Sequence, residues 1–269
     1  MARSENMQRK WKIGVVSYLN AKPLVEGLDA WEGAELIYDV PARLSGLLDR
    51  RAVDAALVPV IDLFERQDVW QIISDACIGS DGETLTVRIF SRSRPEDIRR
   101  LHVDGDSHTS VALARIIWQE CYDRRLEVVS YQGTEAVEDC EAVLLIGDKV
   151  VHHNLVEYEI QTDLGSAWKS LTSLPFVFAV WVAPRDSEGD LAALGRKLSE
   201  ARDRGVASAK RIAAEFGPGL GWPVTLAETY LTRRLKFTLG PRQQSAMARF
   251  LELARRYDLV PALGELTFA

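Results

Sequence analysis

The 269-residue sequence lacks the hallmarks of several protein classes. Its three cysteines, Cys77, Cys121 and Cys140, are widely spaced and form no CxxC pair, which argues against a disulfide framework or a zinc site. No stretch approaches about 18 uninterrupted apolar residues, and none follows the polar start MARSENMQRKWK, so neither a membrane span nor a secretory signal is expected. The absence of a basic excess, with a net charge of −6, argues against nucleic-acid and anionic-membrane partners. These absences predict a soluble, cytoplasmic protein.

The common catalytic motifs are missing as well. The sequence has no GxSxG, Walker A, GxGxxG, HExxH or EF-hand pattern. Phosphate-loop chemistry and metal-centred chemistry therefore find no support, and no metal ligands are predicted.

What is present is an ordinary globular composition, with 47% hydrophobic and 27% charged residues. Short apolar runs predict strands at 13–16, 35–39 and 55–58, and Pro23 and Pro41 open helices between them. The resulting order βαβαβ predicts parallel strands with helices on the faces of the sheet.

The same order returns later in the chain. Strands are predicted at 101–104, 127–131 and 142–146, with a helix at 110–122. Two further apolar runs, at 85–90 and 176–182, are interpreted as strands that cross from one lobe to the other and back. Helices are then predicted at 190–215, 226–235 and 241–257.

Two α/β lobes joined by two crossover strands are typical of the type II periplasmic-binding-protein-like fold. We expect the first lobe to contain residues 1–91 and 184–269 and the second lobe to contain 92–183. Ligands in α/β sheets bind at the carboxyl ends of strands, so the cleft between the lobes is the predicted site.

Two turns follow strands and precede helices, one in each lobe. In the first, Ser17 and Asn20 either cap the following helix or bind a ligand. In the second, the hydroxyls of Ser107, Thr109 and Ser110 either form a cap or hold a carboxylate without a formal charge. His108, in the same turn, is either a general base or a solvated loop residue.

Two other segments carry candidate groups. Along 84–89 polar residues alternate with apolar ones, so Thr86 and Arg88 share one face of a strand. Arg88 is either the partner of a ligand carboxylate or half of an interlobe salt bridge. Asp148 follows Gly147 after the last strand of the second lobe and is either an acid/base group or a helix N-cap.

Several blocks of this sequence resemble the menaquinone-biosynthesis family of the futalosine pathway. They are GVVSYLNAKP (14–23), LVP (57–59), SHTS (107–110), LIGDK (145–149), DLGSAW (163–168) and LPFVFA (174–179). The resemblance runs in order from about residue 11 to about residue 260, and SYLNAKP and LPFVFA are specific to the family.

The family has two enzyme branches. One dehydrates chorismate to 3-[(1-carboxyvinyl)oxy]benzoate, and the other makes 1,4-dihydroxy-6-naphthoate from cyclic dehypoxanthine futalosine. The second branch carries a catalytic histidine where this chain has Ile146, Gly147 and Asp148, and SYLNAKP belongs to the first branch. The resemblance therefore implies a hydro-lyase acting on chorismate, without a cofactor because aromatisation drives the loss of water. Thr86 stands where we expect a serine in some relatives.

The resemblance also implies roles for individual residues. Ser107, Thr109 and Ser110 are expected to bind one carboxylate of chorismate, and Ser17, Asn20 and Thr86 the other end and the departing hydroxyl. The base is either Asp148 or the side-chain carboxylate of the substrate. The remaining predicted substrate contacts are Tyr18, Val58, Pro59, His108, Gly147 and Arg88.

Other interpretations stay open. The chain could be the 1,4-dihydroxy-6-naphthoate synthase of the same pathway or a non-catalytic protein that binds a small anion. The C-terminal helices, from about residue 223 to 269, either complete the first lobe or form a homodimer contact.

Overall fold

A computed structural model describes residues 10–131, 140–152 and 158–261 of the chain. The strands are β1 (Trp11–Val16), β2 (Ala34–Asp39), β3 (Ala55–Pro59), β4 (Trp70–Ser80), β5 (Val87–Ser91), β6 (Arg100–Val103), β7 (Glu127–Ser130), β8 (Ala142–Ile146), β9 (Ile160–Asp163), β10 (Phe176–Pro184) and β11 (Leu235–Thr238). The helices are α1 (Pro41–Asp49), α2 (Val60–Glu65), α3 (His108–Tyr122), α4 (Lys149–His152), α5 (Leu164–Thr172), α6 (Leu191–Ala207), α7 (Ala209–Phe216), α8 (Val224–Thr229) and α9 (Pro241–Arg256).

The strands form two sheets, and each sheet is the centre of one lobe. The first sheet has the order β11-β4-β10-β3-β1-β2, and the second has the order β7-β6-β8-β5-β9. Within the first sheet β1 is parallel to β2 and to β3. Within the second sheet β6 is parallel to β7 and to β8. The parallel pairing predicted for both units is therefore confirmed, and the segment 132–139 between β7 and β8 lies outside the described residues.

The two predicted crossing strands have clear places in these sheets. Strand β5 pairs with β8 and β9 in the second sheet, and β10 pairs with β3 and β4 in the first. By sheet membership, β5 belongs with the second lobe and β10 with the first, whereas the predicted boundaries at 91 and 183 place them the other way round. The chain passes between the sheets at 81–86 and again at 164–175, directly before each strand.

The C-terminal helical region differs from its prediction in two places. The helix predicted at 190–215 is two helices, α6 and α7, which meet at Ser208. The helix predicted at 226–235 is α8 followed by a π-helical turn, Tyr230–Arg234, and the chain then enters β11 as an edge strand of the first sheet. The sheet and the π-helical turn place Tyr230 beside the cleft described below.

Candidate functional site

A cleft that is partly open to solvent lies between the two lobes. Val16, Pro59 and Ile146, the last residues of β1, β3 and β8, all line it. It therefore lies at the carboxyl ends of strands from both sheets, as predicted for this fold.

The walls of the cleft are apolar, and its polar groups are uncharged. Ile78, Phe178 and Leu235 are among the apolar residues that line it. The polar lining residues are Tyr18, Asn20, Thr84, Thr86, Ser107 and Tyr230. None of the described lining residues is an Asp, Glu, Lys, Arg or His. Any anion bound here would be held by hydroxyl, amide and backbone donors.

The structure brings six of the predicted site residues to the cleft. These are Tyr18, Asn20, Pro59, Thr86, Ser107 and Gly147. The other seven do not line it: Ser17, Val58, Arg88, His108, Thr109, Ser110 and Asp148.

The turn after β1 contributes Tyr18 and Asn20. A short 3₁₀ segment, Leu19–Val25, begins there without a side-chain cap, so the capping role considered for Ser17 and Asn20 is not observed. The Tyr18 hydroxyl donates to Asp106 Oδ2 of the second lobe at 2.7 Å. The Asn20 Oδ1 atom is buried and has no hydrogen-bond partner in the described part of the chain. Ser17 is held through its backbone N–H, which donates to the Asp39 carbonyl at 3.0 Å.

The turn before α3 contributes Ser107. Its Oγ accepts a hydrogen bond from the Ser110 N–H at 3.2 Å, so Ser107 caps the helix and also lines the cleft. Ser110 lies behind it, with the two hydroxyls 2.9 Å apart. The positive end of the α3 dipole therefore lies beside the cleft, where it favours an anion.

Two neighbours of Ser107 connect the lobes instead of facing the cleft. Thr109 Oγ1 donates to the Phe178 carbonyl at 3.2 Å and accepts from the Ile61 N–H at 3.3 Å. His108 Nδ1 pairs with Asp62 at 2.8 Å, and this hydrogen bond raises the pKa of the imidazole. The buried Asp62 also accepts a hydrogen bond from Ser45. These contacts place His108 in a lobe-to-lobe pair.

Gly147 and Asp148 lie where the second lobe meets the first. Gly147 has a φ of +60°, and a Cβ built on it would come within 2.6 Å of the Tyr18 ring, so only glycine fits. Asp148 Oδ1 accepts from Trp222 Nε1 at 2.9 Å and from the Leu19 N–H at 3.3 Å. Burial raises the pKa of Asp148, although these hydrogen bonds oppose the rise. The carboxylate thus fastens the two lobes together.

Arg88 points to a salt-bridge cluster away from the cleft. Its guanidinium lies 2.6 Å from Glu83 and 3.5 Å from Asp163. Glu83 in turn pairs with Arg234, which follows Tyr230 in the π-helical turn, at 2.7 Å. Arg88 thus reaches the first lobe only indirectly, through Glu83, because its other charged partner, Asp163, belongs to the second lobe.

Asp163 was not singled out from the sequence, and it organises the first crossing segment. Its carboxylate accepts from the N–H groups of Thr84 and Leu85, from the Thr84 hydroxyl and from Ser166, the last as the N-cap of α5. Leu85 has a φ of 71°, a left-handed conformation that these bonds maintain. These hydrogen bonds fix the segment in the position in which Thr86 lines the cleft.

Tyr230 is a polar residue of the cleft that was not predicted from the sequence. Its hydroxyl is 2.7 Å from Thr86 Oγ1, and its ring stacks on Trp222 with centroids 4.8 Å apart. Burial raises the pKa of Tyr230 far above its ordinary value, as it does for Tyr18. Both phenols therefore stay protonated and neutral throughout the physiological pH range.

The described ranges contain no helix that is both long and apolar enough to cross a membrane. Within those same ranges, no three His, Cys, Asp or Glu side chains gather into a group suited to holding a metal ion.

Two lobes around a cleft at the strand ends define a periplasmic-binding-protein-like fold. An X-ray structure of a protein from Archaeoglobus fulgidus matches 93% of this chain and 98% of its own, with a TM-score of 0.72 and 14% identity. The alkanesulfonate-binding protein SsuA from Xanthomonas axonopodis pv. citri, bound to MOPS, matches 94% of each chain with a TM-score of 0.66 and 12% identity. At these identities the likeness shows the fold.

The chain belongs to the family described as menaquinone biosynthesis, which matches residues 11–256. A relative from Thermus thermophilus, named chorismate dehydratase, is 30% identical over 245 residues. That match covers 83% of this chain and 88% of the relative. The family expected from the sequence blocks is thereby confirmed.

Proposed function

We propose that this protein is a chorismate dehydratase, a hydro-lyase that converts chorismate to 3-[(1-carboxyvinyl)oxy]benzoate and water. The observation that carries the proposal is the meeting of uncharged donors from both lobes in one apolar-walled cleft. The relative named chorismate dehydratase, at 30% identity over most of both chains, supports the same reaction.

The cleft suits a ring compound with two carboxylates. Apolar residues such as Ile78 and Phe178 offer a surface for the ring. Ser107 and the first turn of α3 offer donors to one carboxylate, and Asn20 and Thr86 offer an amide and a hydroxyl to the rest of the substrate. Donors fixed before the substrate arrives stabilise developing charge without reorganising during the reaction.

The reaction requires little acid–base catalysis from the protein. Loss of the C3 proton leaves a vinylogous enolate that extends to the ring carboxylate, and hydroxide then departs from C4 with the electron pair of the C–O bond. Aromatisation drives the second step. The task of the cleft is to orient the substrate, shield it from water and donate hydrogen bonds to the enolate and to the departing oxygen.

Of the two candidate bases, the geometry favours the side-chain carboxylate of the substrate. Asp148 does not line the cleft, and its carboxylate accepts hydrogen bonds from Trp222 and Leu19. Its raised pKa arises mainly from burial between the lobes. We therefore assign Asp148 to lobe closure and leave C3 deprotonation to the substrate.

Incubation of the purified protein with chorismate tests the proposal. The expected result is an aromatic product lighter by one water, detected by chromatography and mass spectrometry. Turnover of cyclic dehypoxanthine futalosine instead would favour the sister enzyme. Binding of chorismate by calorimetry without product would favour an anion-binding protein, and either result overturns the proposal.

The cytoplasmic location and the homodimer contact through the C-terminal helices remain predictions. Residues 262–269 of that region lie outside the described residues. Cell fractionation tests the first prediction, and size-exclusion chromatography with light scattering tests the second.

A further inference from the structure

Three polar side chains of the cleft lie close together. The Tyr230 hydroxyl lies 2.7 Å from Thr86 Oγ1, and the side chain of Asn20 approaches the same phenol and lowers its pKa. Asn20 and Tyr230 belong to the first lobe, and Thr86 directly precedes β5 of the second. All three residues line the cleft.

The direction of these hydrogen bonds can be read from the groups themselves. Among the described residues, Asn20 Oδ1 has no partner, so the amide meets the phenol through its Nδ2 donor. At 2.7 Å either of the two hydroxyls, Tyr230 or Thr86, can donate to the other. Because a phenol is more acidic than an aliphatic alcohol and the alcohol oxygen is the better acceptor, we take Tyr230 as the donor and Thr86 Oγ1 as the acceptor.

This hydrogen bond determines where the Thr86 hydroxyl can donate its own proton. When Tyr230 donates to Thr86 Oγ1, an acceptor site of that oxygen is filled, and the Thr86 proton remains to be donated elsewhere. The cleft that Thr86 lines is where a substrate oxygen would accept it.

We propose that Tyr230 is a positioning residue, whose hydroxyl fixes Thr86 as a hydrogen-bond donor to the oxygen that leaves C4 of the substrate. The inference rests on the proposed function and adds a residue that acts through Thr86. Tyr230 transfers no proton itself: the C–O bond breaks, hydroxide departs with the electron pair, and the Thr86 hydroxyl stabilises it by a hydrogen bond.

The surroundings of Tyr230 allow its hydroxyl to be tested apart from its ring. The ring packs flat on Trp222, with an interplanar angle of 18°, and phenylalanine keeps that contact. Its position in a π-helical turn fits the finding that such turns are frequent at functional sites. Tyr230→Phe therefore removes one oxygen and leaves the packing in place.

A double-mutant cycle on turnover of chorismate tests whether Tyr230 acts through Thr86. We expect Thr86→Val to lower kcat by about 100-fold, the scale for loss of one preorganised donor. Tyr230→Phe should lower kcat by roughly 10-fold with KM little changed, the pattern for an interaction made in the transition state. The double variant should be no slower than Thr86→Val alone.

A matched control is Tyr38→Phe, which removes the same hydroxyl from a residue that is 45% exposed and outside the cleft. It should turn over at the wild-type rate. Additive losses in the double variant, or a wild-type kcat for Tyr230→Phe, would overturn the proposal.

A crystal structure of Tyr230→Phe provides a second test that needs no substrate. We expect the Thr86 side chain to occupy more than one rotamer once its partner hydroxyl is gone. A single unchanged rotamer would count against the role of Tyr230. If wild-type protein left chorismate untouched while the Thr86 rotamer responded, the proposed function would fail and the positioning contact would stand.

Discussion

Tyr18 donates its hydroxyl proton to Asp106 Oδ2 at 2.7 Å, and this bond ties the first lobe to the second at the edge of the cleft. Lys149 binds the same Asp106 carboxylate and pairs with Asp104 at 2.7 Å. The backbone reinforces the contact, because the Ala42 N–H donates to the Asp106 carbonyl at 3.1 Å. The described conformation is thus one in which the lobes are held together.

Tyr18→Phe should weaken that closure. Loss of one hydrogen bond to a charged group costs on the order of 1.5–3 kcal/mol, so we expect KM for chorismate to rise by at least about 10-fold. The effect on kcat should be smaller, because the donors around the reacting atoms remain. Steady-state kinetics measure both values, with Tyr122→Phe as a control outside the cleft. An unchanged KM would contradict the role given to this contact.

Asp148→Asn separates closure from base catalysis. The asparagine carbonyl can still accept from Trp222 and Leu19, so we expect turnover within about 10-fold of wild type if the residue acts through closure. Loss of an essential base would cost about 100-fold or more. Initial rates with saturating chorismate decide between the two. A loss of about 100-fold or more would indicate that Asp148 is the base.

The pair of His108 with Asp62 predicts a pH-dependent stability. Its hydrogen bond raises the pKa of His108 in the folded protein above the ordinary 6.5, so the folded state keeps a proton that the unfolded chain has lost. The stabilisation is complete below pH 6.5 and disappears as pH rises through the folded pKa. Because the imidazole is 52% exposed, screening limits the effect to less than about 1 kcal/mol.

Urea unfolding at pH values from about 5.5 to about 8.5, the range in which histidine titrates, measures this dependence. We expect the decline to be absent in His108→Gln and reduced in high salt. A His108→Gln variant that lost stability with pH as steeply as wild type would contradict the assignment.

Gly147→Ala should be costly for two reasons. An alanine at φ +60° costs about 1–2 kcal/mol, and its Cβ would press on the Tyr18 ring, adding about 1–3 kcal/mol. Gly105→Ala is the matched control, since Gly105 has a φ of +77° but open space around its Cβ position. In thermal unfolding, Gly147→Ala should lower the melting temperature more than Gly105→Ala does. Equal losses in the two variants would show that the Tyr18 contact does not matter.

The parts of the fold that sequence reasoning found are those with a continuous apolar signal. Strands β1, β3 and β8 are runs of buried residues, and their order with the intervening helices was enough to predict parallel pairing. Strand β4 was missed because Ser74 and Asp75 interrupt its apolar pattern. Strand β11 was missed because its four residues directly follow a helical pattern and lie at the edge of the sheet.

The site was predictable where a strand end supplies its residues and not where tertiary packing does. Asn20 and Ser107 follow strands, so their positions could be inferred from chain order. Tyr230 reaches the cleft because a helix changes to a π-helical turn, which no sequence period reveals. Thr109 carries a hydroxyl in the right turn, but its side chain bonds to the Phe178 carbonyl, a partner 69 residues away in the chain.

The hydrogen bonds that Asp163 accepts from the first crossing segment affect when the donors of the cleft come together. They hold Thr86 to the second lobe, whereas Tyr230 and Asn20 belong to the first lobe. Any separation of the lobes must therefore break the bond between Thr86 and Tyr230. We therefore expect the hydrogen bond between Thr86 and Tyr230 to exist only while the lobes are closed, so that closing the cleft around a ligand would also complete its set of donors.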